Sequence, residues 1–437
     1  MSSESPIDTS EIEIEIVEEG QNDHRLSCTI PSRLVLQIRE KLKAGGLEQT
    51  DQQLANLMAK ICIEEGQNRL GSDSIWGATP LTDAPPQLKE GEPFKVAFMV
   101  DSLVDFTHPD WKTIEVIRPI CDIDDAAIEE EMIQQCNQVG SRTSSQDGLA
   151  EGDEFVANLQ MWGAEAPRVP LMHAVKCVMR IPEPGKPLMV NNIPLDKIAP
   201  QLIGHKAGDT VTCSAPSPDL LSMILPPGSP AEATIEILET SRITPATVDE
   251  VVSHYGTPNE TILRQQIRLS LKNRAESEQE FSLIQQFFNA ALDVVDIPVP
   301  QRIIEKNASV TFANIKQNLT AAKIDEAEQD LIIEKHRASI MNRIERNLRK
   351  HALALHLRKE VNISISERQI NDHINFLAQS QNRRPEDLRN ELVKSGAISK
   401  ISVQLLENQV AEKMLEKVRI KDMPIAEFNS MNESSES

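Results

Sequence analysis

The sequence predicts an α+β protein of several domains: an N-terminal α+β domain, a small β domain, and a long all-α C-terminal domain with arms. Three observations lead to this fold class. Short strand-like runs with period-two alternation occur only before Arg242, whereas residues 247–418 carry apolar side chains at helical spacing. Pro298 and Pro300 interrupt that helical region, because proline cannot occupy a helix interior. A chain of 437 residues is also long enough for several domains.

The N-terminal domain is predicted to cover residues 11–118, after a disordered segment at residues 1–10. Alternating Glu and Ile over Glu11–Ile16 predict a half-buried strand. Apolar spacing predicts two helices, the first from Pro31-Ser32 to Lys43 and the second from Asp51 to about Glu65. Later runs at Phe94–Leu103 and Thr113–Ile117 predict two further strands.

A linker with one helix is predicted at residues 119–148. Asp122 and Asp124 precede this helix as candidate N-caps, and their carboxylates suit the positive end of the helix dipole. A capped, solvated helix accounts for this pair better than a metal site does. The polar stretch Ser141–Gly148 predicts a connecting segment without regular structure.

The small β domain is predicted at residues 149–242. Short strand-like runs between Pro and Gly turns are typical of a small barrel or half-barrel. These runs are Glu154–Met161, His173–Met179, Thr210–Cys213 and Ala233–Leu238.

The helical domain is predicted at residues 243–428, followed by a disordered tail at 429–437. Rows of apolar residues at i,i+4 spacing include Leu263, Ile267 and Leu271. Ser364 or Ser366 is expected to cap the helix that follows the break at Asn362–Ser366.

Composition and charge exclude several classes of protein. The net charge of −22 argues against DNA binding. No apolar run approaches the roughly 20 residues that span a bilayer, and Met1–Ser10 lacks the features of a secretory signal. The six cysteines form no Cys-x-x-Cys pair, which predicts buried free thiols in a reducing compartment. We therefore expect a cytoplasmic protein without a membrane partner.

Motifs for catalysis are missing from the sequence. It contains no Gly-x-x-x-x-Gly-Lys loop for nucleotides and no Gly-x-Ser-x-Gly elbow for serine hydrolysis. His336, His351 and His356 lie on one predicted helix, but their spacings of 15 and 5 do not give the i,i+4 pair of a helical zinc site. We expect no metal and no cofactor.

Four stretches, taken in order, resemble the bacterial trigger factor family of ribosome-associated chaperones. They are Glu92–Phe98, Trp111–Val116 followed by Asp122–Ala126, Ile203–Asp209, and the break Asp296–Pro300. The resemblance covers nearly the whole chain. It implies an N-terminal domain of ribosome-binding type, an FKBP-like prolyl isomerase domain and a helical chaperone domain.

The family's ribosome-docking loop, Gly-Phe-Arg-x-Gly-Lys-x-Pro, is replaced here by Lys43–Thr50, which lacks Phe-Arg and Gly-Lys pairs. Met1–Arg118 carries 11 Lys and Arg against 21 Asp and Glu, a net charge of −10, which ribosomal RNA would repel. Arg33, Arg39, Lys41 and Lys43 form the one possible basic footprint, which an ordinary solvated helix face explains more simply. We therefore expect ribosome docking to be weak or absent.

The isomerase pocket of the family is built mainly from aromatic side chains. Here the corresponding positions hold Phe155, Trp162, Ile198 and Leu202, so only two aromatic residues remain. An isomerase must lower a barrier of about 18–20 kcal/mol around the peptide bond. The resemblance, corrected for these departures, predicts weak or absent isomerase activity.

Phe287, Phe288, Phe312 and Met341 are the predicted contacts to unfolded or nascent polypeptides. Three functions stay open: an ATP-independent holding chaperone, which we favour, an active prolyl isomerase with chaperone arms, and an assembly factor for one fixed partner. We expect a monomer or a weak dimer.

Overall fold

A computed structural model of the chain describes residues 10–20, 23–44, 50–71, 75–81, 87–89, 91–102, 106–191, 193–218, 224–226, 228–381, 383–395 and 397–435. The chain divides into two compact units, each assembled from three separate stretches. The first unit contains residues 1–109, 294–303 and 349–410, and the second contains 110–293, 304–348 and 411–437. Both helices and sheets are present, and the C-terminal region is largely helical, which confirms the predicted fold class.

The first unit begins with a four-stranded antiparallel sheet in the order β1-β2-β4-β3. The strands are β1 (Glu13–Glu19), β2 (Asp23–Ile30), β3 (Ile75–Pro80) and β4 (Phe94–Ser102). Helices α1 (Ser32–Ala44) and α2 (Asp51–Leu70) share an apolar core with it that includes Leu26, Ile38 and Phe98. β1 lies at the sheet edge, so its Ile16 stays about half exposed and the strand is less buried than its alternation predicts.

Three shorter helices of the first unit pack around a separate small core. They are α9 (Glu367–Ser380), α10 (Pro385–Lys394) and α11 (Ala397–Leu415), and the core contains Ile374, Ala378, Leu388 and Ile401. Ser366 caps α9 by accepting a hydrogen bond from the Gln369 backbone N–H, and the Gln369 side chain accepts one in return. Ser366 is therefore one of the two predicted caps and the one that the helix uses.

The second unit contains a five-stranded sheet in which β11, β12, β7 and β8 follow in that order and β6 also pairs with β12. Its strands are β6 (Ser141–Ser144), β7 (Glu154–Gly163), β8 (Pro170–Arg180), β11 (Thr210–Pro216) and β12 (Pro230–Thr244). Between β8 and β11, β9 (Leu188–Val190) and β10 (Ile193–Leu195) form a small hairpin. Helix α4 (Ala199–Leu202) follows this hairpin. All four predicted strands are present. The polar segment Ser141–Ser144 was not predicted as a strand, because its pairing partner, Ser241–Thr244, lies 100 residues away.

A helical layer of the second unit joins α3 (Asp125–Val139), α5 (Val248–His254) and the long α6 (Glu260–Val294) through a common apolar core. Asp124 is the N-cap of α3, since its carboxylate accepts a hydrogen bond of 2.8 Å from the Ala127 backbone N–H. The capping function predicted for Asp124 is confirmed.

Helices α7 (Gln301–Ala321) and α8 (Glu326–Glu360) follow the Pro298–Pro300 break. A turn at Lys323, in the left-handed region, reverses the chain between them. Lys316 Nζ lies 2.6 Å from Asp330 Oδ1 across the two helices. We call residues 304–348 of α7 and α8 the helical hairpin.

The last elements differ from the predicted helix and disordered tail. Strand β13 (Arg419–Pro424) pairs in parallel with β5 (Glu115–Ile120), and α12 (Ile425–Ser435) follows it. Gln286 of α6 also binds β5, because its side-chain amide accepts from the Ile117 N–H at 2.7 Å and donates to the Ile117 carbonyl at 2.8 Å. The strand depends on a partner 300 residues away, which local sequence does not reveal.

Candidate functional site

One face of the five-stranded sheet forms a largely aliphatic core. Alternate residues of β7, from Phe155 to Met161, point into it because successive side chains of a strand face opposite sides. Ala233, Ile235 and Ile237 of β12 add to the same face and are fully buried. Phe155 is the single aromatic residue in this buried core, within the part of the chain that the structure describes.

The helical hairpin shares an apolar core with this sheet. Seven of its residues belong to the same apolar cluster as the sheet, at spacings that place them on one side of each helix. They are Ala308, Ile315, Leu319, Ile332, Ile333, Ile340 and Ile344. We call this contact the hairpin seam. Because each buried Ile or Leu side chain contributes roughly 1.5–3 kcal/mol, the seam is a substantial part of the second unit's core.

Two basic residues of α8 fix the rim of the seam to loops of the β domain. Lys335 Nζ donates to Glu165 Oε2 and to the Ala166 carbonyl, both at 3.1 Å. Arg343 Nη2 donates to the Leu225 carbonyl at 3.3 Å. These bonds set the position of the hairpin at both sides of the rim.

A cavity of about 240 Å³ opens beside these contacts. Its lining comes from three segments, the end of β7, the loop before β12, and α8, and consists of Gly163, Glu165, Leu225, Pro226, Ser229, Pro230, Lys335 and His336. Burial, and then the charge of Lys335, lower the pKa of His336 below its ordinary value, although Glu165 acts in the opposite direction. Folding therefore favours the neutral imidazole. The cavity is smaller than the 300–1,000 Å³ typical of small-molecule sites.

The four predicted isomerase residues do not form one pocket. Phe155, Ile198 and Leu202 lie together in the buried core under the hairpin. Trp162 is half-buried and lies on the opposite face of the sheet, where it pairs with Glu232 of β12. The sequence alone was sufficient to predict this separation. Phe155 and Trp162 are an odd number of positions apart in β7, and such residues point to opposite faces of a strand.

The four predicted polypeptide contacts also divide into two pairs. Phe287 and Phe288 are fully buried, and Phe287 packs against Trp111 with ring centroids 6.2 Å apart. The structure therefore places both of these predicted contacts in the core of the second unit. Phe312 and Met341 are partly buried at the hairpin seam. The guanidinium of Arg337 lies 4.8 Å above the Phe312 ring.

Sequence reasoning missed a set of exposed apolar side chains on the helices of the C-terminal region. Between residues 262 and 416, seven large apolar residues among those described are more than half exposed: Leu269, Phe281, Val294, Val310, Leu331, Phe376 and Val393. Phe281 and Phe376 are the most exposed, each at 64%. Part of this set could be found from the sequence. Leu269 and Phe376 lie outside the predicted i,i+4 rows of apolar residues, which indicates that they are exposed.

The remaining predictions about sites concern thiols, metals, membranes and the docking loop. All six cysteines are free, and all but Cys121 are buried. Within the described ranges, no three His, Cys, Asp or Glu side chains group as metal ligands, and no helix is both long and apolar enough to cross a bilayer.

Arg33 and Arg39, of the possible basic footprint, pair with Glu11 and Asp51. Residues 45–49 of the predicted docking segment lie outside the described residues.

Comparison with known proteins shows what the helical region is similar to. Residues 262–416 match the family model for the C-terminus of the bacterial trigger factor protein. The trigger factor of Pelotomaculum thermopropionicum is 23% identical over 354 residues, which are 76% of this chain and 76% of that protein. The trigger factor of Rhodopirellula baltica is 19% identical over 349 residues, covering 78% and 70% of the two chains.

Solved structures give a weaker likeness. A trigger factor structure, whose title concerns promiscuous substrate recognition in folding and assembly, aligns with 92% of this chain and 99% of its own. The identity is 15% and the TM-score is 0.38.

The protein is thus of the multidomain α+β class, with a long helical C-terminal region. Its residues 262–416 match the trigger factor C-terminus, and the chain is similar to curated trigger factors over about three quarters of its length.

Proposed function

We propose that this protein is an ATP-independent chaperone that holds nascent or unfolded polypeptides. The observation that carries the proposal is the set of exposed apolar side chains in residues 262–416, the region that matches the trigger factor C-terminus. Exposed apolar surface is what an unfolded chain contacts, because burial of apolar area drives such association. Phe312 and Met341 are further candidate contacts at the hairpin seam. Free thiols support a reducing location such as the cytoplasm.

The test is suppression of aggregation for several unrelated unfolded clients. We expect Phe281→Ser with Phe376→Ser to weaken suppression for every client, because both side chains are 64% exposed and contribute little to the core. Val175→Ser with Val178→Ser is the matched control, since these β8 residues are similarly exposed but lie outside the matched region. Equal loss in the two variants would contradict a helical client surface. Activity toward one client alone would favour an assembly factor with a fixed partner.

We further propose that the FKBP-like domain has weak or no isomerase activity. The largely aliphatic core of the sheet and the apolar cluster that it shares with the helical hairpin support this proposal. A protease-coupled assay on a short X-Pro peptide tests it. The double substitution Ile333→Ser and Ile340→Ser should loosen the hairpin seam. It therefore distinguishes a competent pocket that the hairpin blocks from a pocket that cannot catalyse isomerisation. We expect no turnover from either protein. Turnover by the loosened variant alone would mean that the hairpin covers a competent pocket.

Ribosome binding is proposed to be weak or absent. The net charge of −10 over Met1–Arg118 supports this, as do the carboxylate partners of Arg33 and Arg39. Sedimentation with empty ribosomes at moderate salt should leave the protein in the supernatant. Tight co-sedimentation that is lost on deleting Met1–Arg118 would contradict the proposal.

A further inference from the structure

A cluster of two histidines, one glutamate and one phenylalanine in the first unit has no part in the proposed chaperone surface. His108 follows β4, and His356 and Glu360 lie near the end of α8. The Nε2 atoms of the two histidines are 3.1 Å apart, although 248 residues separate them in sequence. Phe106 lies against both rings, with centroid distances of 5.0 Å to His108 and 4.5 Å to His356.

The distance between the two nitrogens fits shared coordination of one metal ion. Zn²⁺ binds histidine nitrogen at about 2.0–2.1 Å with tetrahedral geometry, so two such ligands lie about 3.3 Å apart. The observed separation needs an adjustment of only a few tenths of an ångström. Imidazole nitrogen suits Zn²⁺, Ni²⁺ and Cu²⁺, whereas Mg²⁺ and Ca²⁺ prefer oxygen.

Glu360 orients the His108 ring for metal coordination. Its Oε2 lies 3.1 Å from His108 Nδ1, which favours the tautomer that donates from this nitrogen to the carboxylate. In the neutral ring the Nε2 lone pair then faces His356. Such a carboxylate–histidine pair is the usual outer support of a metal-binding histidine, since it fixes the ring and raises its basicity.

We propose that His108 and His356 together bind one Zn²⁺ ion through their Nε2 atoms, with Glu360 as the positioning residue for His108. Within the described residues no group of three His, Cys, Asp or Glu forms. In the proposed site the two histidines are the protein ligands and water completes the coordination. The side chains of His108 and Glu360 are about one-third exposed, which gives the ion a path from solvent. The bound ion joins the segment after β4 to α8.

Calorimetric titration of untagged, full-length protein with ZnCl₂ at pH 7.5 tests the site. We expect one Zn²⁺ per chain. His356→Ala and His108→Ala should each weaken binding at least tenfold, because a single histidine remains. Glu360→Gln should weaken it by about tenfold, as outer-shell substitutions do. Unchanged circular dichroism without metal establishes that each variant is folded.

Two controls exclude other ligands of the chain. His254→Ala removes an exposed histidine of α5, and Cys121→Ser removes the exposed thiol; both should leave Zn²⁺ affinity unchanged. Addition of Co²⁺ should give the visible absorption of nitrogen and oxygen coordination, which is lost in His356→Ala. Absence of Zn²⁺ binding in the unaltered protein, or binding that survives both cluster-histidine substitutions, would overturn the proposal. A histidine pair that responds to pH but not to Zn²⁺ would overturn it too.

Discussion

Asp101 and Asp23 lie directly opposite each other on β4 and β2, and Asp101 is completely buried. Arg302, at the start of α7, lies between the two carboxylates. Its Nε donates to Asp101 Oδ2 at 2.9 Å, its Nη2 donates to Asp101 Oδ1, and its Nη1 lies 3.3 Å from Asp23 Oδ2. Burial alone would lower the pKa of the Arg302 guanidinium, but the two carboxylates outweigh it and the pKa is raised. This bidentate pair joins the N-terminal sheet to a residue 201 positions later in the chain.

Replacing Arg302 by Ala should destabilise the first unit by about 3–5 kcal/mol, because it leaves the Asp101 carboxylate buried without a counter-charge. Urea unfolding at pH 7 measures the free energy. Arg346→Ala is the matched control, since its pair with Asp293 is largely exposed and should contribute no more than about 1 kcal/mol. Equal effects of the two substitutions would mean that the Arg302 pair is not protected from solvent.

Glu407 of α11 is a second buried carboxylate of the first unit. Burial would raise the pKa of Glu407, but His351 Nδ1 at 3.5 Å and Lys350 Nζ at 2.9 Å outweigh it, and the pKa is lowered. The lysine contact is the stronger one, because the histidine nitrogen is at the limit of hydrogen-bond distance. The ionised form of Glu407 is therefore favoured by folding.

Stability of the first unit should consequently fall in acid, with a contribution from Glu407. A carboxyl group whose pKa is lowered by folding stabilises the protein above its unfolded pKa of about 4.3, and this stabilisation is lost as the pH falls through the folded value. Glu407→Gln should cost about 1.5–3 kcal/mol at pH 7, with the difference from the unaltered protein shrinking below about pH 4. Unfolding free energies between pH 3 and pH 7 measure this. A difference independent of pH would contradict the assignment.

At the level of elements, local signals were predictable and distant pairings were not. Asp124 and Ser366 were identified as caps because a helix start depends on a few neighbouring residues. β13 could not be predicted, since Arg419–Pro424 shows no alternation and depends on β5. Phe287 and Phe288 show the same limit, because helical spacing locates an apolar face but does not reveal that Trp111 covers it.

Removing β13 should expose the edge of β5 and destabilise the second unit. A chain that ends at Val418 lacks β13 and α12, whereas a chain that ends at Pro424 lacks α12 alone. We expect the shorter chain to lose about 2–4 kcal/mol, since each backbone hydrogen bond contributes about 1 kcal/mol net. Urea unfolding measures the loss. If the chain that ends at Pro424 is destabilised to the same extent, α12 rather than the strand pairing stabilises β5.

At the scale of the whole molecule, the candidate site combines predictable and unpredictable parts. The inward residues of β7 and β12 follow from strand alternation, and the apolar faces of α7 and α8 follow from helical spacing. Neither pattern predicts that the strand face and the helix faces pack against each other in the hairpin seam. Each apolar face could pack equally well against another apolar surface. The exposed residues Phe281 and Phe376 were missed for the same reason.

The net charge of −22 should affect the choice of clients. Unfolded chains with excess positive charge should be held more strongly than acidic chains at low salt, because attraction between exposed charges acts over about 10 Å at 0.1 M ionic strength. One unfolded client, used unmodified and with its lysines succinylated, gives a matched pair in an aggregation assay. The difference between the two should vanish near 1 M salt, where the screening length is about 3 Å. A difference that persists there would indicate that charge is not its cause.

The three-stretch composition of the first unit has a consequence for biosynthesis. Its N-terminal sheet leaves the ribosome early, but the unit also needs residues as far as Val410. At about 5–20 residues per second, roughly 300 further residues take about 15–60 s to translate. Arg302 is made 201 positions after Asp101, so the carboxylates of Asp23 and Asp101 lack their partner for about the first two-thirds of that interval. The newly made protein is itself an incomplete chain throughout.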